Sequence, residues 1–183
     1  MRFTCLFTLF LLYHSLCVTA QPVYVVESGN ISFHSDAPQE LIKASSDKIT
    51  GIFDAKKKIF AFRINIISFM GFNSPLQREH FNENYMESSI YPQAVYQGKI
   101  IEDIDFTNDG VYTIRSKGKL TIHGIGQERI INASIICKGD MISIRSDFIV
   151  SLADHKIKIP RVVYDKLAQD INISVNLKLV PKQ

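Results

Sequence analysis

Alternation of apolar and polar residues with a period of two is the feature that most constrains how this sequence can fold. In Ile171–Leu179 every odd position is apolar, and the even positions are Asn, Ser, Asn and Lys. Such alternation predicts a β-strand with one apolar face and one wet face. The same pattern, clean or looser, covers eight segments: 23–36, 40–53, 59–67, 94–106, 112–122, 129–138, 142–152 and 171–179.

Turn residues separate several of these segments. Asn108-Asp109-Gly110, Gly124-Ile125-Gly126 and Lys138-Gly139-Asp140 each stand where a hairpin needs a turn. Eight strands joined mainly by short turns predict an antiparallel sheet with one apolar face. Because closure removes the unpaired edges of such a sheet, we predict an all-β, eight-stranded antiparallel barrel. A two-sheet sandwich is the alternative that the periodicity leaves open.

Two regions do not alternate and read as helical. Ser74 can cap a helix, Pro75 suits its first position, and Gln77 can complete a capping box. These residues predict a short helix inserted around 75–87. A helical turn is expected near 161–168, after a proline.

The N-terminus has the layout of a secretory signal peptide. A positive charge at Arg2 precedes the apolar run Phe3–Tyr13, and the small residue Ala20 offers a cleavage site. A membrane anchor is the alternative, but eleven helical residues are too short for a bilayer core of roughly 30 Å. We therefore expect a signal peptide at 1–20 and one domain at 21–183, located in the periplasm or secreted.

The mature chain would keep a single cysteine and a small charge. Cys5 and Cys17 lie in the signal peptide, so Cys137 has no intrachain disulfide partner, and the fold must rely on packing. Acylation of Cys17 is the lipoprotein alternative, disfavoured by the large Leu16 before it. Without Arg2 the net charge is +2, and the bases are mostly dispersed. We expect no nucleic-acid partner and no transmembrane segment in the mature chain.

Residues that could carry chemistry are sparse. The four histidines outside the signal peptide are at least 32 residues apart, so no local metal-ligand spacing exists, and no metal or cofactor is expected. Glu79 and His80 could serve a hydrolase. Adjacent helical residues point about 100° apart, however, so the two would not form a base–orienter pair. We expect no catalytic residues and no enzyme activity.

Small residues on inward-facing positions indicate space inside the barrel. Gly98 and Gly118 fall on the apolar faces of their strands, where glycine indicates either a tight bend or room for a ligand. An eight-stranded barrel can hold one small ligand. A core filled by the same side chains is the alternative. The predicted cavity wall comprises Phe33, Phe53, Phe60, Phe62, Ile64, Tyr96, Gly98, Gly118 and Phe148.

Three motifs resemble the YceI-like family, and the likeness runs from about residue 23 to residue 179. They are the helix Arg78-Glu79-His80-Phe81, the strand entry Tyr91-Pro92, and the strand and turn Gly118–Gly124. The histidine follows the acid directly, without the intervening residue of the family. Segment 149–155 also lacks the asparagine–arginine pair that many members carry, so no polar ligand contact is transferred there.

The resemblance implies a lipocalin-like barrel that binds a long isoprenoid or other amphiphilic lipid for carriage, storage or protection, without turnover. It leaves a homodimer open. A few polar groups at the mouth would orient such a ligand, and the candidates are Arg78, His80, Tyr91 and His34. The alternative role of these four is to anchor the helix to the barrel. Alternative functions are an envelope structural or interaction barrel with a filled core and, less favoured, a hydrolase that uses Glu79 and His80.

Overall fold

The computed structural model describes residues 23–183, which form one nine-stranded antiparallel sheet that closes on itself. The predicted signal peptide and Cys17 lie outside the described residues. The strands are β1 (Val23–Asp36), β2 (Leu41–Ser46), β3 (Thr50–Asp54), β4 (Ile59–Asn65), β5 (Gln93–Ile100), β6 (Gly110–Ile122), β7 (Ile125–Lys138), β8 (Met141–Ser151) and β9 (Asp170–Pro181).

Closure of the barrel depends on β1, which is long enough to pair on both edges. On one edge it pairs with β9 from Tyr24 to His34, with a bulge after Val26. On the other edge its first residues pair with β3 and its last six with β2. Strands β2 and β3 therefore share one position in the barrel. The predicted eight-stranded barrel is confirmed, and the segment predicted as one strand at 40–53 is two strands.

The inward faces of the strands form the core. Phe53, Ile135, Ile142 and Leu179 are each at most 1% exposed. Burying one such side chain stabilises a fold by roughly 1.5–3 kcal/mol. The alternation that predicted the strands thus places their apolar rows inside the barrel.

The chain between β4 and β5, residues 66–92, is called the helical segment below. Helix α1 (Pro75–His80) begins as predicted, because the backbone N–H of Gln77 donates to the hydroxyl of Ser74 at 3.1 Å. The Gln77 side chain reaches one residue further back than a capping box requires, accepting from the N–H of Asn73 at 3.0 Å. Regular α-helix ends at His80, and a π-helical turn continues over Phe81–Tyr85.

The chain between β8 and β9, residues 152–169, is called the late loop. It contains a 3₁₀ turn at Ala153–His155 and another at Arg161–Val163. The N–H of Leu167 then donates to the carbonyl of Val163 at 3.0 Å. The helical turn predicted near 161–168 is present in this form.

The topology gives the barrel two distinct ends. The helical segment, the late loop and the His123-Gly124 turn lie at one end, called the covered end. The turns at 55–58, 101–109 and 139–140 lie at the other, called the packed end.

Candidate functional site

Two adjoining cavities occupy the interior of the barrel. The central cavity measures about 120 Å³, and the covered-end cavity about 160 Å³. For comparison, an apolar cavity of about 150 Å³ can bind benzene and stays dry when empty. The two cavities share five wall residues: Ile31, Ile64, Ala94, Leu120 and Phe148.

The central cavity presents hydrocarbon because the polar groups beside it are already hydrogen-bonded. The hydroxyl of Tyr96 donates to the carbonyl of Ser116 at 3.0 Å, and burial raises the pKa of this phenol. The hydroxyl of Ser146 donates to the carbonyl of Asn132 at 2.7 Å. The wall therefore offers few free donors or acceptors to a ligand.

The covered-end cavity is roofed by the helical segment and the late loop. Its few polar wall residues include Gln77, whose amide donates to the carboxylate of Glu40 at 2.8 Å. The remaining roof residues are apolar or aromatic. They are Ile66, Phe69, Phe72, Phe81, Tyr85 and Met86 from the helical segment, and Leu152, Ile157 and Leu167 from the late loop.

Seven of the nine predicted wall residues border these cavities. Phe33 lines the covered-end cavity, and Ile64 and Phe148 line both. The predicted residues that line the central cavity alone are Phe53, Phe60, Phe62 and Tyr96. Their role in binding a ligand stays a prediction.

The other two, Gly98 and Gly118, are absent from both cavity walls and face each other across β5 and β6. A Cβ atom on Gly98 would stand 2.3 Å from the carbonyl oxygen of Lys117, and one on Gly118 2.3 Å from that of Gln97. Real Cβ atoms do not approach this closely, so the glycines permit a close approach of two strands. This close approach is a third reason for glycine, different from the tight bend and the room for a ligand that the sequence suggested.

The four predicted mouth residues are not gathered around one opening. The guanidinium of Arg78 donates to the carbonyls of Ile67 and Phe69, so it ties α1 to the preceding turn. His80 is exposed on α1. His34 lies on β1 between Phe33 and Ser35, which face the interior, so its side chain points outward.

Tyr91, the fourth of these residues, packs its ring edge-on against His123, with ring centres 4.6 Å apart. It also covers Gly124, where an added Cβ would meet the ring at 2.6 Å. This position favours the anchoring role that the sequence left open for the mouth residues.

A four-ring cluster closes the covered end, and Phe33 is its only member among the predicted wall residues. Phe81 stacks on Phe33 with ring centres 5.4 Å apart and contacts Phe72 at 5.0 Å. Phe69 completes the cluster, 5.3 Å from Phe33. Because three of these rings belong to a segment without strand alternation, periodicity gave no sign of which way they face.

A polar contact at the same end joins the helical segment to the barrel and was also missed. The Nε2 atom of His123 lies 2.5 Å from a carboxylate oxygen of Glu87, and its Nδ1 atom lies 3.2 Å from the carbonyl of His155. His123 and Gly124 both have positive φ, as a two-residue hairpin turn requires. Asparagine usually precedes the glycine of such a turn. The unusual histidine at this position was therefore the feature of the sequence that could have indicated the contact with Glu87.

His155 itself is fully buried. Its Nδ1–H donates to the carbonyl of Ile125 at 3.0 Å, and its Nε2 has no hydrogen-bond partner among the described residues. Burial lowers the pKa of this imidazole. Burial therefore disfavours the protonated form of this ring.

One seam of the barrel wall is joined by side chains instead of backbone pairs. The ladder between β7 and β8 runs only from Ser134–Arg145 to Lys138–Met141. Towards the covered end, Arg129 donates to the carbonyl of Ile149 at 2.7 Å, and Gln127 to that of Asp154 at 2.6 Å. Arg129 also lies 3.5 Å from the carboxylate of Asp154.

Residues 23–183 contain neither a metal-site cluster nor a membrane-spanning helix. Within that range, no three His, Cys, Asp or Glu side chains converge as a metal site would require. No helix in the same range is long and apolar enough to cross a membrane.

Comparison with known families gives one clear match. A family model described as the YceI-like domain matches residues 25–179. No functionally curated protein matches the sequence.

Solved structures share the fold at low sequence identity. A polyisoprenoid binding domain from Saccharophagus degradans, implicated in plant cell wall breakdown, matches with a TM-score of 0.75 at 10% identity, over 87% of this chain and 98% of its own. Burkholderia cenocepacia BcnA matches with a TM-score of 0.68 at 15% identity, over 82% and 95%. The Campylobacter jejuni YCEI protein matches with a TM-score of 0.59 at 21% identity, over 74% and 82%.

Proposed function

The chain belongs to the family of YceI-like domains, and on that premise we propose that its barrel holds a long apolar or amphiphilic lipid, isoprenoid-like in chemistry. The lipid would be carried, stored or protected without being chemically changed. A structural neighbour is described as a polyisoprenoid binding domain, which supports this choice of ligand class.

One observation carries the proposal: the two cavities adjoin along the interior and share Ala94, Leu120 and Phe148 as walls. Two adjoining apolar cavities suit an extended hydrocarbon better than a compact polar ligand. Each methylene removed from water contributes on the order of 0.8 kcal/mol. A tail that fills both cavities would therefore bind tightly with few polar contacts.

The hydrolase alternative lacks a suitable pair of side chains facing the ligand. Glu79 and His80 are both exposed on α1, and neither lines either cavity. The filled-core alternative conflicts with the interior space beside Phe60 and Phe148. Both observations favour binding of a lipid.

The test is native mass spectrometry of the purified protein, with and without added long-chain prenol. We expect one added mass that matches the prenol, and lipid extraction should recover the compound unchanged. A protein that takes up no prenol and carries no lipid from its host would refute the proposal.

A matched pair of variants locates the binding site. Ala94→Phe places a ring where the two cavities meet, so uptake of long prenols should fall at least about tenfold, since several methylenes lose their place. Ala61→Phe makes the same change on β4, where Ala61 stands between the inward-facing Phe60 and Phe62 and lines neither cavity. Equal loss in both variants, with both folded, would place the lipid outside the barrel.

We further propose that the protein is exported to the periplasm or secreted, with cleavage near Ala20. The N-terminal order of charge, apolar run and small residue supports this proposal. N-terminal sequencing of the exported protein should begin at Gln21. Recovery of the protein with residues 1–20 intact would contradict it.

A further inference from the structure

The late loop carries an exposed apolar tip. Val162 is 86% exposed, the largest value for any large apolar side chain in the described part of the chain, and Tyr164 beside it is 48% exposed. Single exposed apolar residues are ordinary on protein surfaces. This tip differs because of the charges around it.

Four bases flank the tip along the chain, and all are exposed: Lys156, Lys158, Arg161 and Lys166. Between residues 156 and 166 the only acidic residue is Asp165, so this stretch carries a net charge of +3. Among the ion pairs of residues 23–183, none involves these four bases. Their charges are therefore free to meet an external anion.

The backbone holds the tip in a fixed shape. The N–H of Val163 donates to the carbonyl of Pro160 at 3.0 Å. The loop is tied to the β1–β2 turn, because the N–H of Gln39 donates to the carbonyl of Asp165 at 2.8 Å. An ordered tip loses little conformational entropy on binding, which favours a docking role.

The inner side of the same loop forms part of the cavity wall. Ile157, only 5% exposed, and Leu167 both line the covered-end cavity. The loop thus reaches from the lipid-binding interior to the solvent within about ten residues. A partner that meets the tip would stand directly beside this cavity.

We propose that residues 156–166 dock the covered end onto an anionic lipid surface. This inference rests on the proposed function, since a lipid carrier must meet a membrane to load or unload. Bases near an anionic surface each strengthen binding by about fivefold, and an apolar residue beside them can insert at the acyl boundary. An acidic protein would match the bases but gives no reason for a bare valine beside a lipid cavity.

The test is flotation with lipid vesicles, using protein that begins at Gln21 so that the apolar N-terminal run cannot bind membranes itself. Vesicles of phosphatidylcholine alone are compared with vesicles that also contain phosphatidylglycerol. We expect binding to the phosphatidylglycerol vesicles, release at high salt, and little binding to phosphatidylcholine alone.

Two matched pairs of variants locate the surface. Val162→Asp should weaken vesicle binding about tenfold, while Val111→Asp, at a valine that is 70% exposed at the packed end, should leave it unchanged. Charge reversal of Lys158 and Arg161 together should weaken binding by at least about 25-fold. Reversal of the exposed Lys117 and Lys119 on β6 is the matched control.

Several results would overturn the docking surface. They are failure to bind phosphatidylglycerol vesicles at low salt, equal losses for the two valine variants, and binding to an acidic polypeptide without binding to vesicles. Native mass spectrometry separates this inference from the proposed function. Lipid-loaded protein that does not float would refute the docking surface alone, and docked protein that never holds a lipid would refute the cavity's function alone.

Discussion

The two ends of the barrel are both closed by aromatic rings, but the rings belong to different kinds of structure. At the packed end, Phe53 contacts Phe106 and Tyr24, with ring centres 5.2 and 6.4 Å apart, and Tyr112 extends the cluster. Three of these four rings stand on paired strands. At the covered end, three of the four rings belong to the helical segment. Among residues 23–183 this segment shares one β-bridge with the sheet, between Ser45 and Met70, and its other polar contacts with the sheet are made by side chains such as Glu87.

This difference implies that one end of the barrel governs the stability of the fold and the other governs access to the interior. Displacing Tyr24, Phe53 or Tyr112 at the packed end requires breaking β-ladders, whereas the helical segment can shift while the ladders between the strands stay paired. Elements held by few backbone bonds open at lower free energy than core strands. We therefore expect the packed end to set the free energy of unfolding and the covered end to set the rate of lipid exchange.

The largest effect should come from Phe53→Ala at the packed end. Phe53 is 1% exposed, and removing a buried phenyl ring costs about 3–5 kcal/mol. Denaturant unfolding monitored by circular dichroism measures this loss. If Phe53→Ala lowered the free energy of unfolding by less than Phe81→Ala does, the covered end would contribute more to stability than the packed end, contrary to our expectation.

Phe81→Ala at the covered end should act mainly on lipid exchange. Its ring is only partly buried, so the free energy of unfolding should fall by about 1–2 kcal/mol. Release of a fluorescent prenyl lipid should become several-fold faster, because the roof ring that stacks on Phe33 is gone. Unchanged release would show that the lipid leaves by another route.

Mild acid should lower the free energy of unfolding through His155 at the covered end. Burial lowers the pKa of His155 in the folded chain. Below about pH 6.5 the unfolded chain therefore binds a proton more readily than the folded chain does, and the free energy of unfolding decreases as the pH decreases. At pH 5.5 the loss from this residue is at most about 1.4 kcal/mol. Unfolding of wild type and His155→Gln at pH 7.5 and 5.5 measures it, and an equal pH dependence in both would contradict the assignment.

The smallest effect should be local to α1. Ser74→Ala removes the cap on Gln77 and costs about 1 kcal/mol of helix stability. Hydrogen exchange should quicken over residues 75–85 while protection of β6 and β9 stays unchanged. Global loss of protection would mean that the helical segment unfolds together with the barrel.

The sequence predicted those parts of the fold that follow from local patterns. Period-two alternation predicted the strands, and Ser74-Pro75 predicted where α1 begins. It did not predict the interruption between β2 and β3, because Ile49 there is apolar and 7% exposed like a strand residue. Nor did it predict the π-turn after His80, since no residue type is specific for one.

The candidate site was predictable where strands form its wall and unpredictable where docked segments do. The inward direction of Phe60 and Phe62 was predicted from the alternation of apolar residues in β4. The direction of Phe81 depends on how the helical segment packs against the barrel. The mouth role of Arg78 stays a prediction. Its hydrogen bonds to the carbonyls of Ile67 and Phe69 were not predictable, because only the fold brings that turn within reach. Gly98 and Gly118 lie opposite each other because of the register between β5 and β6, and the alternation of residue types does not specify that register.

A crystal structure of the protein grown with a long-chain prenol tests the central claim most directly. We predict continuous tubular density inside the barrel, running from beside Phe81 past Ala94 to Phe60, with the strands unmoved. Density confined to the outer surface, or cavities filled by rearranged side chains, would contradict the account.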